Sequence, residues 1–284
     1  MNLVDPGIVE KYYYVTLFLK RISELQHGII FKGGTSLSKC YKAIRRFSED
    51  IDLSVETELA KLTEGQRKRL KTDIVSIIDE YGFTLMNPEQ IRSRRDFNKY
   101  VIDFHPARMN LSIKQNMIVE TSVYIKAFPT STMKASSHIY DFLKANGAGN
   151  LISQYGLEHF ELKVLSLERT FIDKVFALAD YYLDGNIEAH SRHIYDLYKL
   201  YPKIQFNCGF RKLVQETRKV RKPHITCKSA QEGIDLNMVL QRIITEDFYE
   251  SDYKNITTVL LFEKVTYQEA IPALRKIIDN GFFT

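Results

Sequence analysis

The chain has 284 residues, 44% of them hydrophobic and 26% charged, with 40 basic against 35 acidic side chains and a formal net charge of +5. This composition excludes a largely disordered protein, and no apolar run approaches the ~18 residues needed to span a bilayer. The mild positive balance is compatible with an RNA or nucleotide partner and equally with an ordinary solvated surface. Three widely spaced cysteines, Cys40, Cys208 and Cys227, form neither a disulfide framework nor a zinc pattern, so a reducing, cytoplasmic setting is expected. The N-terminal stretch has an early Asp5 and no basic n-region, and does not read as a signal peptide.

In chain order, apolar residues at helical spacing (Val15, Leu19, Ile22) predict a helix over Ile8–Gln26, with Gly28 as its stop. Ile29-Ile30-Phe31 reads as a buried strand. Gly33-Gly34-Thr35-Ser36 then opens a helix expected to reach about Ile44. Ile51–Val55 is the next strand, and Leu59–Tyr81 a helix with Ile74, Ile77, Ile78 and Tyr81 as its buried stripe. β-Branched and aromatic runs predict strands at Tyr100–Phe104 and Met117–Ile125. Pro129–Gly156 reads as loop around a short helix at Ile139–Ala145. Beyond Glu161 the chain turns helical: Ser166 caps a helix running to about Leu183, and another starts near Ser191 and ends at Pro202. Further helical packing is expected around Ile234–Ile244 and Val259–Leu261. The predicted class is α+β, a mixed sheet with flanking helices over residues 1–150 and a mainly helical domain over 151–284.

Two features of the first sixty residues carry chemistry. The glycines of Gly33-Gly34-Thr35-Ser36 let the backbone approach a ligand, and the helix start behind them offers free N–H groups to a phosphate. In Ser48-Glu49-Asp50-Ile51-Asp52-Leu53, strand alternation puts Asp50 and Asp52 ~7 Å apart on one face. Two carboxylates so placed repel unless a cation lies between them, and magnesium with hard oxygen ligands is the usual solution. The plain alternative is a polar strand end facing water.

A Gly-Gly-[Ser/Thr] turn before a helix, followed by an Asp-x-Asp strand, resembles the DNA polymerase β-like nucleotidyltransferases. The fifteen residues between Gly34 and Asp50 form a longer gap than many of those proteins have. A narrower likeness accommodates it. Lys32-Gly-Gly-Thr-Ser-Leu-Ser-Lys39 with Arg46-Phe-Ser-Glu-Asp-Ile-Asp-Leu53, then Glu168-Arg-Thr-Phe-Ile-Asp-Lys174 and Arg192-His-Ile-Tyr-Asp-Leu-Tyr198, resemble the motifs of the AbiEii nucleotidyltransferases. These are toxins of type IV toxin–antitoxin and phage-defence systems.

The resemblance implies an enzyme that moves an NMP from an NTP to an acceptor with Mg²⁺ (or Mn²⁺), releasing pyrophosphate. It implies a nucleotide site at Lys32, Gly33, Gly34, Thr35, Ser36 and Lys174, and metal ligation by Asp50, Asp52 and a third acid. Glu120 is the first choice for that acid and Asp103 the competitor. Lys174 is expected to reach the phosphates, and Asp196 to lie in the catalytic set, at a spacing that lets it pair with Arg192. The implied acceptor is RNA, a tRNA 3′ end, and the implied partner a separately encoded antitoxin. Six basic residues in the twelve positions 211–222 (Arg211, Lys212, Arg218, Lys219, Arg221, Lys222) offer an RNA contact or a solvated helix end. The competing functions are transfer to a protein or small molecule, and a catalytically inactive nucleotide-binding partner.

Overall fold

A computed structural model of the chain describes residues 6–26, 28–48, 50–56, 62–107 and 116–284. The chain divides into two compact units, Met1–Tyr41 with Glu49–Leu165 and Lys42–Ser48 with Ser166–Thr284.

The first unit is built on a mixed sheet of seven strands: β1 Ile29–Lys32, β2 Asp50–Val55, β3 Thr84–Leu85, β4 Phe97–Asp103, β5 Met117–Ser122, β6 Thr130–Ala135 and β7 Phe160–Leu165, in the order β3-β4-β5-β2-β1-β7-β6. β2 runs parallel to β5 and β1 parallel to β7, while the other pairs are antiparallel. Helices α1 (Pro6–Leu25) and α3 (Glu64–Glu80) cover one face. There Val15, Phe18, Leu19, Ile22, Ile74 and Ile77 pack with Phe31, Ile51, Leu53, Val119 and Tyr100 in one core. Each fully buried aliphatic side chain contributes about 1.5–3 kcal/mol of hydrophobic stabilisation. Because strand side chains alternate, the residues between these core positions face the other way.

Three local predictions differ from what is found. The helix α2 spans Gly33–Lys39 and stops well before Ile44; the chain leaves it through Cys40 and adopts a left-handed φ of 50° at Lys42. The strand expected to Ile125 ends at Ser122. The stretch after Pro129 holds the expected short helix, α4 (His138–Ala145), but is less loop than expected around it: it supplies β6 before that helix and α5 (Gly149–Gln154) after it. β6 is an edge strand whose only buried residue is Ala135, so it carries no apolar alternation to read. In α3 a capping box between Thr63 and Gln66 fixes the start of the helix; the predicted start at Leu59 falls outside the described residues.

The second unit contains α6 (Leu167–Leu183), α7 (Arg192–Leu200), α8 (Cys208–Arg221), α9 (Leu236–Thr245) and the helix Pro272–Asp279. Ser166 caps α6, accepting from the Arg169 N–H at 3.1 Å. The short stretch 42–48 is stitched in by backbone bonds: Phe47 N–H donates to Leu260 O at 2.7 Å and Phe262 N–H to Arg45 O at 2.9 Å. Arg46 and Leu261 are antiparallel bridge partners.

Candidate active site

On the sheet face turned away from α1 and α3, the register places Asp52 opposite Lys32 of β1 on one side and opposite Glu120 of β5 on the other. Asp50 precedes Asp52 on the same face, level with Ile118. Asp50, Asp52 and Glu120 are all part-exposed, whereas Ile51, Leu53, Val119 and Thr121 between them are buried. Three carboxylates thus share one face of two adjacent parallel strands. Glu120 also has Lys99 of β4 beside it, Nζ to Oε1 at 3.4 Å. Asp103 lies at the far end of β4, four residues beyond the level of Glu120, where it accepts from the His105 N–H at 2.8 Å. At ~3.4 Å per residue that is ~14 Å along the strand, so Glu120 and not Asp103 neighbours Asp52.

The turn is set tightly against these acids. Gly33 has a φ of +76°, and a Cβ built on it would fall 1.9 Å from Asp52 Oδ2. Only glycine fits there, because of both the left-handed backbone and the carboxylate. No side chain caps α2, and Lys32, Gly33 and Gly34 are part-exposed. Thr35 and Ser36 are fully buried. The Thr35 hydroxyl donates to Asp50 O at 2.5 Å and that of Ser36 to Gly33 O at 2.9 Å. These hydroxyls therefore brace the turn against the acidic strand, and the backbone of Gly33-Gly34 is what the turn presents.

The donor chemistry fits a hard divalent cation: carboxylate oxygens on one face, with the cradle at Gly33 kept free of a side chain. The fit is one of donor type and of a shared sheet face. Among the described residues no three His, Cys, Asp or Glu side chains already converge as a metal cage.

In the second unit Lys174 of α6 and Asp196 of α7 lie in a buried ionic cluster with Arg46. Arg46 grips Asp196 with two bonds, Nε to Oδ1 at 2.7 Å and an Nη to Oδ2 at 2.8 Å. Lys174 Nζ lies 2.6 Å from Asp196 Oδ2 and 3.5 Å from His193 Nδ1. Asp196 is 0% and Arg46 2% exposed. Burial opposes ionisation of Asp196, but Arg46 and Lys174 outweigh it and hold the carboxyl below the usual carboxylate range. Burial lowers Lys174, with Asp196 opposing and Arg46 adding to the shift. Burial, Lys174 and Arg192 push His193 well below its ordinary value, so its imidazole is neutral. The resemblance implied a phosphate contact for Lys174; here its ammonium is committed to Asp196. Asp173 points elsewhere on α6, to Arg169 at 3.1 Å and Arg221 at 3.4 Å.

Arg46 was not singled out as a site residue from sequence. Its position at the head of the Arg-Phe-Ser-Glu-Asp-Ile-Asp block was the available signal. A buried arginine needs a partner, which sequence spacing alone does not identify.

The basic run on α8 is largely absorbed by the unit itself. Arg221 is 7% exposed and bonds Asp180 at 2.6 Å. Arg218 donates to Phe283 O at 2.8 Å, and Arg211 to Gly281 O at 3.1 Å while lying over the Phe282 ring. Lys222 pairs with Glu232 and Lys212 stands 4.0 Å from Glu216. Lys219 is exposed. Arg221 is a strut, too buried to meet an RNA backbone.

A mixed sheet with two acids on one strand, a third on its parallel neighbour and a glycine turn against them, followed by a helical unit, defines a nucleotidyltransferase of the α+β type. The family described as nucleotidyl transferase AbiEii toxin, type IV TA system, matches residues 17–280, and the chain belongs to it. Among solved structures, MenT4, a nucleotidyltransferase toxin from Mycobacterium tuberculosis H37Rv, is similar in fold, with a TM-score of 0.63 at 17% identity over 98% of this chain and 84% of that one. No curated protein is a significant match. Membership makes the protein an NTP-using nucleotidyltransferase toxin that works beside a separate antitoxin. Among the described residues no helix is long and apolar enough to cross a membrane.

Proposed function

We propose that the protein transfers an NMP from an NTP to the 3′ end of an RNA, with tRNA as the acceptor class, in a Mg²⁺- or Mn²⁺-dependent reaction. The observation that supports this best is the acidic face, where Asp50, Asp52 and Glu120 occupy neighbouring register positions with Gly33 pressed against Asp52. Asp50 and Asp52 would hold the cation, with Glu120 beside them. When bound, it neutralises the triphosphate and lowers the pKa of the acceptor hydroxyl.

The chain's own residues supply the rest. The Gly33-Gly34 backbone admits the phosphates without steric obstruction, and Lys32, on the same face as Asp52, adds positive charge. The acceptor oxygen attacks the α-phosphorus in line, the bond to pyrophosphate breaks, and the hydroxyl proton passes to a carboxylate of the acidic face or to solvent. The Lys174–Asp196–Arg46 cluster is proposed to fix the catalytic geometry of the helical unit, with Asp196 as the carboxylate that both cations share.

Titration with Mn²⁺ in the presence of a non-hydrolysable NTP tests the metal reading. Wild type should bind stoichiometrically, and Asp52→Ala should lose the metal while retaining the wild-type circular dichroism. Equal Mn²⁺ affinity in the variant would remove Asp52 from the metal site.

A further inference from the structure

The helical unit carries an open pocket of about 450 Å³ that no part of the proposed chemistry uses. Five cations line it: Lys42, Arg45, Lys199, Lys203 and Lys276. Its one carboxylate, Glu269, is engaged by the start of its own helix, where it accepts from the Thr266 N–H and hydroxyl at 2.7 Å each. Lys199 is matched by Glu263 at 2.9 Å. Lys203 and Lys276 are exposed and make no ion pair with a described residue. The pocket therefore holds an excess of positive charge that the protein does not neutralise.

The placement of Arg45 follows from the stretch that carries it. In the extended chain around the Arg46–Leu261 bridge, successive side chains point in opposite directions. Arg46 turns inward to Asp196, and Arg45 turns outward into the pocket. The wall also includes two tyrosines. Tyr201 is held by Phe206, with ring centroids 4.8 Å apart, and its hydroxyl donates to Lys276 O at 3.3 Å. Tyr198 is 37% exposed and has no aromatic neighbour among the described residues.

We propose that this pocket is a single-stranded RNA site, with the backbone phosphates held by Arg45, Lys203 and Lys276 and one base stacked on Tyr198. Cations around an open aromatic face are the elements of sequence-tolerant single-strand binding, and the volume suits a nucleotide. An acidic protein segment would be served by the charge but has no need of the open ring. The proposal rests on the reading that RNA is the acceptor, and it gives that RNA a contact surface other than α8.

The test is fluorescence anisotropy with a labelled oligouridylate over a series of salt concentrations. Wild type should bind with an affinity that falls as salt rises. Lys203→Glu combined with Lys276→Glu should weaken binding at least tenfold, and neutralising both with Ala should lower the slope of log K against log salt by about 1.4. Tyr198→Ala should weaken binding about tenfold, the loss of one base stack, with the salt slope unchanged. Thermal melts identify any variant that fails to fold, and the single Lys203→Ala and Lys276→Ala variants then replace the double ones. If folded variants bind as wild type does, the pocket is not the RNA site, and label still transferred to RNA by wild type would leave the acceptor reading standing. If wild type binds no RNA, both fall. Tight binding of a poly-glutamate peptide that oligouridylate cannot displace would reassign the pocket to a protein partner.

Discussion

Gly33 concentrates the steric demands of the acidic face in a single residue. Its positive φ costs an L-residue roughly 1–2 kcal/mol, and the 1.9 Å approach of a Cβ to Asp52 Oδ2 means that any side chain must displace the carboxylate. Gly33→Ala should therefore abolish nucleotide transfer while lowering the melting temperature only by a few degrees; a fully active Gly33→Ala enzyme would show that Asp52 need not stand where it does. The ionic cluster makes the opposite kind of demand, on stability. Asp196→Ala leaves Arg46 and Lys174 buried without their shared carboxylate and should cost about 3–5 kcal/mol. Lys174→Met leaves Asp196 its two bonds from Arg46 and should cost less. Chemical denaturation of the pair of variants checks the order; equal losses would argue against Arg46 as the principal partner.

His193 adds a pH dependence whose sign follows from its lowered folded-state pKa. The unfolded imidazole titrates near ~6.5. Above that value both states are neutral and the contribution to stability is complete. Below it the unfolded chain takes up a proton that the folded one refuses, so stability falls as pH drops. His193→Gln should flatten unfolding free energy between pH 5 and 6.5, and an unchanged slope would place the titration elsewhere.

At the scale of elements, α6 brings Lys174 to the cluster, and Ser166 fixes where α6 begins. Ser166→Ala should cost about 1 kcal/mol by thermal melt; no change would mean that packing alone sets the helix start. α6, with its cap, was legible in sequence because capping and 3.6-residue periodicity are both local signals. The facing of Asp50 and Asp52 was legible for the same reason, since strand parity decides it. Strand parity made Glu120 the first choice for the third acid without excluding Asp103. Both sit on strands with the right parity, and only the register of β5 against β2 separates them. β6 escaped because an edge strand of Thr, Ser and Lys buries almost nothing. The role of 42–48 escaped because its partners, Leu260 and Leu261, are more than two hundred residues away in sequence. The α8 run shows the converse: a dense basic cluster is visible in sequence, but its carboxylate and carbonyl partners are not.

For the whole molecule, the decisive fact is that the two units are interleaved along the chain. Residues 42–48 belong with 166–284, so a cut at Leu165 separates Arg46 from Asp196 and removes two backbone bonds from the Leu260–Phe262 segment. A fragment of residues 166–284 should melt well below the intact protein, and adding a peptide of residues 42–48 should raise its melting temperature. A fragment as stable as the parent would mean that the interleaved stretch contributes nothing to the fold.

Nucleotide transfer to RNA by the acidic face is tested directly by a transfer assay. The purified protein with Mg²⁺ is given each α-labelled NTP in turn, with and without total tRNA, beside Asp52→Ala. Label should appear on tRNA, depend on the metal and be absent from the variant. Label confined to protein, or label on tRNA that survives Asp52→Ala, would contradict transfer to RNA by that face.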